Sequence, residues 1–302
     1  THCISSAASD VYKRQVMGVG RTFEESLLKA IRSLEIGVNH LYMQKFNSEK
    51  TDSLIKYIKI GTDDRIYAIA ELLRRGCETS VICTQTGIDR FFIDKMKKIV
   101  NMENKLKQCA GDMEVLYQAK KNGFSDKEIA QLWDKKEKDI FKLRKDSGIF
   151  PVYKMIDTCA SEFDSYVPYF YSTYEAENES FAESRKKIIV LGSGPIRIGQ
   201  GVEFDYSTVH AVKTIKEAGF ESIIINNNPE TVSTDYTTSD KLYFEPLCVE
   251  DVMNVVELEK PDGVIASLGG QTAINLAKPL EERGVKTVSY THLRAHETRS
   301  NL

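Results

Sequence analysis

The chain has 302 residues, a formal net charge of −3, 41% apolar residues and 28% charged residues. That length admits about two domains, and no apolar run approaches the roughly 18 residues of a membrane-spanning helix, so the composition predicts a soluble globular protein. The slight acidic excess supplies no field that would favour nucleic acid or an anionic membrane.

Residues 1–15 (THCISSAASDVYKRQ) and 288–302 (VSYTHLRAHETRSNL) show no apolar periodicity. They read as non-native tails of translated adaptor sequence and are set aside, with His2, His292 and His296, as processing scars are. The first element is a helix over 22–35. Thr22 and Glu25 form a capping box, and Phe23, Leu27, Ala30, Ile31 and Leu34 recur at helical spacing before Gly37.

From 47 to 181 the pattern is helical, with breaks at Gly61, Gly76, Gly87, Gly111, Gly123 and Gly148. Ile66, Ile69, Ala70, Leu72 and Leu73 mark one helix. Phe91, Phe92, Met96, Ile99 and Val100 mark a second, and Leu116 and Ala119 a third, all packed around Trp133. Residues 125–144 have the outline of a helix-turn-helix, but Glu137 and Asp139 interrupt its basic face, which disfavours DNA binding. Residues 151–180 form a poorly periodic, tyrosine-rich connection. Cys159 within it has no histidine nearby in sequence to serve as its base, so a buried or interfacial thiol is favoured over a nucleophile. The six cysteines are scattered without a Cys-x-x-Cys pair, which predicts reduced thiols, a cytoplasmic location and no zinc site.

After a charged boundary over 175–187 the period changes. Strands are predicted at 187–191, 222–225, 241–244, 263–266 and 285–287, with helices at 205–218, 249–259 and 271–283. This alternation specifies a parallel sheet with crossover helices. The first strand runs into Gly192-Ser193-Gly194-Pro195-Ile196-Arg197-Ile198-Gly199-Gln200-Gly201. Arg197 stands where a dinucleotide fingerprint has its third glycine, and the next strand ends in Asn226 where a ribose-binding strand ends in Asp or Glu, so a nicotinamide site is disfavoured. The turn lets backbone approach a small anion closely; equally, it serves as a tight strand-to-helix connection.

The runs GSGPIRIGQGVEFDYSTVHA, NNNPETVSTDYTTSDKLYFEPL, SLGGQTAINLA, RTFEESLLKAIRSLE and PVYKMIDTCASEF resemble the carbamoyl-phosphate synthase large-subunit family over about residues 16–287. The resemblance implies an internal slice of a longer subunit. Residues 16–46 would end a first ATP-grasp unit and 47–181 would be a helical oligomerization domain. Residues 182–287 would be a Rossmann-like pre-ATP-grasp domain, giving an α/β plus all-α fold. The family makes carbamoyl phosphate from bicarbonate, glutamine-derived ammonia and two ATP, for arginine and pyrimidine synthesis. ATP and Mg or Mn bind its ATP-grasp units, so the slice is expected to be inactive and to hold no metal. Its partners would be a glutamine amidotransferase small subunit and further copies of the subunit.

In that family Arg197, Gly201, Glu203 and Glu230 match positions lining an internal carbamate passage; alternatively Arg197 only pairs with Glu203 or Glu230. Gly192, Gly194, Gly199, Asn226, Asn228, Thr231, Gly269, Gly270, Gln271 and Thr272 are expected around the second-site crevice, where Thr272 could instead be an ordinary first-turn residue. A non-catalytic helical interaction module carrying a small α/β ligand-binding domain is the alternative function.

Overall fold

The computed structural model describes residues 16–159, 162–163, 166–195 and 203–288. Contacts divide the chain into a helical unit, Gly20–Phe150, and an α/β unit that takes Pro151 onward together with residues 16–19. An all-α part followed by an α/β part is the fold class that the sequence predicts. No helix among the described residues is long and apolar enough to cross a membrane.

The helical unit comprises α1 (Phe23–Ser33), α2 (Thr51–Tyr57), α3 (Arg65–Arg74), α4 (Thr79–Thr86), α5 (Arg90–Gln108), α6 (Met113–Lys121), α7 (Asp126–Leu132) and α8 (Glu137–Asp146). At the start of α1 the Glu25 N–H donates to Thr22 Oγ1 at 3.2 Å, as a capping box requires. The Glu25 carboxylate also accepts from the Arg21 N–H at 2.8 Å. Leu28 and Ile31 are buried. Gly123, at φ +86°, lies so close that a β-carbon on it would sit 2.7 Å from Glu25 Cα, and Arg32 Nη1 donates to its carbonyl at 2.6 Å. The helix therefore has its packing partner within this unit.

Trp133 is buried as predicted, its Nε1 donating to Leu106 O at 2.9 Å. Phe91 and Phe92 are not core residues: they are 54% and 44% exposed and stack with Phe23, while Ile93 and Met96 carry the buried stripe of α5. Helices α7 and α8 are joined through fully buried Asp126, which pairs with Lys120 and Arg144. The arginine that makes α8 look basic in sequence is thus an internal group.

A second buried cluster surrounds Glu103 on α5. Burial alone would raise its pKa, but His40, Arg74 and Lys107 hold its carboxyl well below the usual range. Glu128 on α7 is pushed the other way, first by burial and then by the Glu103 charge, with His40 opposing. A carboxyl whose folded pKa is raised contributes stability below its unfolded value, and that contribution is lost as pH rises through the folded value. Glu128→Gln is therefore expected to raise the melting temperature by a few degrees at neutral pH and to leave it unchanged below about pH 4. Melting curves at both pH values check this, and an unchanged or lower neutral value would contradict it.

The α/β unit contains β1 (Val152–Met155), β2 (Tyr169–Thr173), β3 (Lys187–Leu191), α9 (Glu203–Glu217), β4 (Glu221–Asn226), β5 (Lys241–Phe244), α10 (Val249–Glu259), β6 (Gly263–Ile265), α11 (Gly270–Glu281) and β7 (Thr287–Val288). They form a seven-stranded sheet of order β1-β2-β5-β4-β3-β6-β7, parallel except for β1 against β2. Ile189, Val190, Ile223, Ile224, Ile225 and Val264 fill its centre.

Two sequence expectations change here. Residues 151–181 do not belong to the helical part, because β1 and β2 extend the sheet beside β5. Four consecutive residues of β2 are buried, so the run lacks the alternation that would mark a half-buried strand. The last strand begins at Thr287, and Val285 lies outside it. The Val285 N–H goes instead to Leu280 O at 3.1 Å, behind Gly284 at φ +84°, and so ends α11.

At the starting edge of the parallel strands four charges are buried together. Lys187 Nζ lies 2.9 Å from Glu259 Oε2 and 3.5 Å from Glu221 Oε2, while Lys241 Nζ lies 2.8 Å from Glu259 Oε1 and 3.4 Å from Glu221 Oε1. Tyr243 donates to Glu259, and Lys241 also donates to Phe181 O.

Candidate functional site

Strand β3 has β4 on one side and β6 on the other, so the chain reverses its direction of travel across the sheet between β3 and β6. Ligands of open α/β sheets bind at such a point, outside the carboxyl ends of the strands. Gly192, Gly194, Asn226, Asn228, Gly269 and Gly270 are all brought to this end.

The crevice is built by close backbone approach. A β-carbon on Gly192 would lie 2.5 Å from Asn226 Cγ, and one on Gly269 would lie 2.6 Å from Leu191 O and Gly192 C. Gly194 has φ +65° and Gly270 φ +68°, conformations that glycine adopts without penalty. Asn226 organises both turns. Its Oδ1 accepts from the N–H groups of Gly194 (3.1 Å), Asn227 (2.9 Å) and Asn228 (3.5 Å). Asn228 Nδ2 returns to Gly194 O at 3.4 Å, and its Oδ1 accepts from the Glu230 N–H at 3.0 Å. The three asparagines have no exposed surface.

Beside the crevice, Tyr169, Asp205, Tyr206, Val209, His210 and the 229–236 connection enclose a depression of about 910 Å³. Glu230 and Thr231 line it. Asp205 accepts from the Ser233 N–H at 3.2 Å, which ties the connection to α9. The Asp235 carboxyl is held below its usual pKa by hydrogen bonds from the Thr237 backbone and hydroxyl. Tyr169 donates to Thr234 O at 2.6 Å.

Among the other anticipated residues, Glu203 opens α9 with an exposed side chain. Gln271 Nε2 donates to Asn275 Oδ1 along the exposed face of α11. Thr231 Oγ1 lies among Ser233 and Thr234 rather than capping the turn that follows. Thr272 lies in the first turn of α11. Arg197, Gly199 and Gly201 lie outside the described residues. Sequence reasoning missed Met17, whose N–H donates to Asn227 O at 2.9 Å, and the aromatic wall of Tyr169, Tyr206, His210 and Tyr236. Of that wall only Tyr169 falls within the tyrosine-rich connection that the sequence singles out.

Comparison with family models finds two matches. The carbamoyl phosphate synthase preATP-grasp domain matches residues 184–297. The carbamoyl-phosphate synthetase large chain oligomerisation domain matches residues 15–148. The first therefore runs past Thr287, and the second includes α1.

Proposed function

Because the chain belongs to the carbamoyl-phosphate synthase large-chain family, we propose that it supplies an association block and one wall of the second active site in a ligase that makes carbamoyl phosphate. The observation that carries this reading is the switch-point crevice, where Gly192, Asn226 and Gly269 meet within a matched preATP-grasp domain. Bicarbonate, glutamine-derived ammonia and two ATP are the proposed reactants, for arginine and pyrimidine synthesis. A glutamine amidotransferase small subunit and further copies of the large chain are the proposed partners. The described cysteines form no disulfide, which supports a cytoplasmic setting.

ATP with Mg or Mn is the family's energy source, and the described residues do not fit it. The depression beside the crevice is lined by Asp205, Glu230 and Asp235 and, among the described residues, by no lysine or arginine, a lining that repels a triphosphate. No group of three or more His, Cys, Asp or Glu among them could hold a metal ion. The nucleotide chemistry is therefore assigned to ATP-grasp units of the whole enzyme, and these 302 residues are expected to show no bicarbonate-dependent ATP hydrolysis. A coupled ADP-release assay tests this: turnover by the chain alone would refute it, whereas joining it to an ATP-grasp unit of the family should confer ATP binding.

We also assign Arg197, Gly201, Glu203 and Glu230 to a passage for carbamate, a species short-lived in water that benefits from sequestration. Glu230 supports the assignment through its place at the edge of the depression next to the crevice. In the full-length enzyme, Gly201→Phe should keep bicarbonate-dependent ATP use and lose most carbamoyl phosphate output. Loss of the reverse reaction, ATP formation from carbamoyl phosphate and ADP, together with synthesis would mean that the glycine is merely structural.

A further inference from the structure

Strand β1 ends the sheet, with β2 on one side and, among the described residues, no strand on the other. A bare edge presents its outward N–H and C=O groups to any extended chain. Here they are taken by the segment 178–181, which is not itself a strand. Asn178 Oδ1 accepts from the Tyr153 N–H at 2.7 Å, Glu179 Oε2 accepts from the Met155 N–H at 2.8 Å, and the Glu179 N–H donates to Tyr153 O at 2.8 Å. Two side chains and one backbone amide thus make the bonds that a neighbouring strand would make. Lys154 of β1 adds an ion pair to Glu179 Oε1 at 3.0 Å. The far end of the segment is fixed from inside the unit. Tyr243 gives its proton to Glu259, so buried Ser180 Oγ donates to the Tyr243 hydroxyl at 2.7 Å, and Lys241 Nζ donates to Phe181 O at 2.7 Å. The buried charges at the starting edge of the parallel strands therefore anchor it.

We propose that 178–181 is a strap that closes the β1 edge, and that releasing it opens the edge to β1 of a second copy of this chain. Outward groups along an antiparallel edge come as donor and acceptor pairs, so two copies of β1 can bond to each other about a twofold axis. The strap wins that competition because it is tethered to the same chain, whereas a second copy must be captured from solution. Its bonds to β1 come mainly from side chains, so substitution can remove them without breaking the backbone path. The device is separate from the switch-point crevice, and its failure leaves the Gly201→Phe assay unaffected.

The test is amide hydrogen exchange of the full chain, read at Tyr153 and Met155 over a range of protein concentration. In the wild type both amides should be protected to the same degree throughout. In the double variant Asn178→Ala, Glu179→Ala they should exchange about tenfold faster when dilute, as the loss of one net hydrogen bond each implies, and regain protection as concentration rises and β1 edges pair. Sedimentation velocity should then show a larger mass than the wild type has at the same concentration. If the double variant does not fold, Glu179→Ala alone, which frees only the Met155 N–H, is read in the same way. Wild-type Tyr153 and Met155 amides that exchange as fast as those of exposed loops overturn the proposal whether or not either variant folds. A folded variant whose freed amides stay unprotected at every concentration also overturns it, and shows that 178–181 makes ordinary loop contacts.

Discussion

Gly269→Ala is expected to destabilise the α/β unit by about 3 kcal/mol or more, because its new methyl group has nowhere to go. It would fall 2.6 Å from Leu191 O and Gly192 C and closer still to Gly192 O, all backbone atoms of the central strand and its turn. Backbone cannot rotate aside as a flexible side chain can, so β3 and β6 would have to separate where Val190 pairs with Ile265. Gly284→Ala is the control. It has φ +84° but nothing within 4 Å of its β-carbon position, so it should show only a left-handed backbone penalty of about 1 kcal/mol. Urea midpoints of the two variants, with hydrogen exchange of the β3, β4 and β6 amides, decide the matter. Equal losses would show that the crowding at Gly269 relaxes without consequence.

The second large effect is expected at Glu259. Replacing it by Gln leaves Lys187 and Lys241 facing Glu221 alone, an uncompensated positive charge among residues no more than 6% exposed. Breaking a buried ion pair in this way costs about 3–5 kcal/mol. Glu217→Gln, which breaks an exposed pair with Lys213 at 4.0 Å, should cost less than about 1 kcal/mol. The pH dependence follows the same group. Burial would raise the Glu259 pKa, but hydrogen bonds from Lys241, Tyr243 and Lys187 and the Lys241 charge bring it below 4.5. A lowered carboxyl pKa gives stability above the unfolded value and loses it as pH falls through the folded one. Wild type should therefore lose stability below pH 4.5 more steeply than Glu259→Gln. A variant as stable as wild type at pH 7 would show that the lysines find water or other partners.

The parts of the fold that were legible are those whose local signal and burial agree. Strands β3 to β6 are short apolar runs bounded by glycine, asparagine or charge, and α1 carries Thr22 at its cap. The seven strand and helix segments from 187 to 281 alternate strongly enough to specify a parallel sheet. Strands β1 and β2 were not legible, since a strand packed on both faces shows no period and a tyrosine run reads equally well as a connection. Phe91 and Phe92 sit at helical spacing with Met96 yet remain exposed, because spacing reports which face a residue shares and not whether anything covers it.

At the site, the sequence by itself determined the glycine turn after β3, the asparagines at the end of β4 and the Gly269-Gly270 entry to α11, since each is a local departure from apolar periodicity at a strand end. It also carried the family, through five long runs in order. Only the tertiary structure decided that these three strand ends adjoin, that Asn226 Oδ1 bonds three backbone N–H groups while its Nδ2 is left over, and that Lys187, Glu221, Lys241 and Glu259 neutralise one another at the opposite edge. Those relations join residues up to 77 positions apart, as Gly269 and Gly192 are. Turn propensities and periodicity act over a few residues, whereas the order of strands across the sheet, which places distant residues together, is fixed by the burial of whole faces.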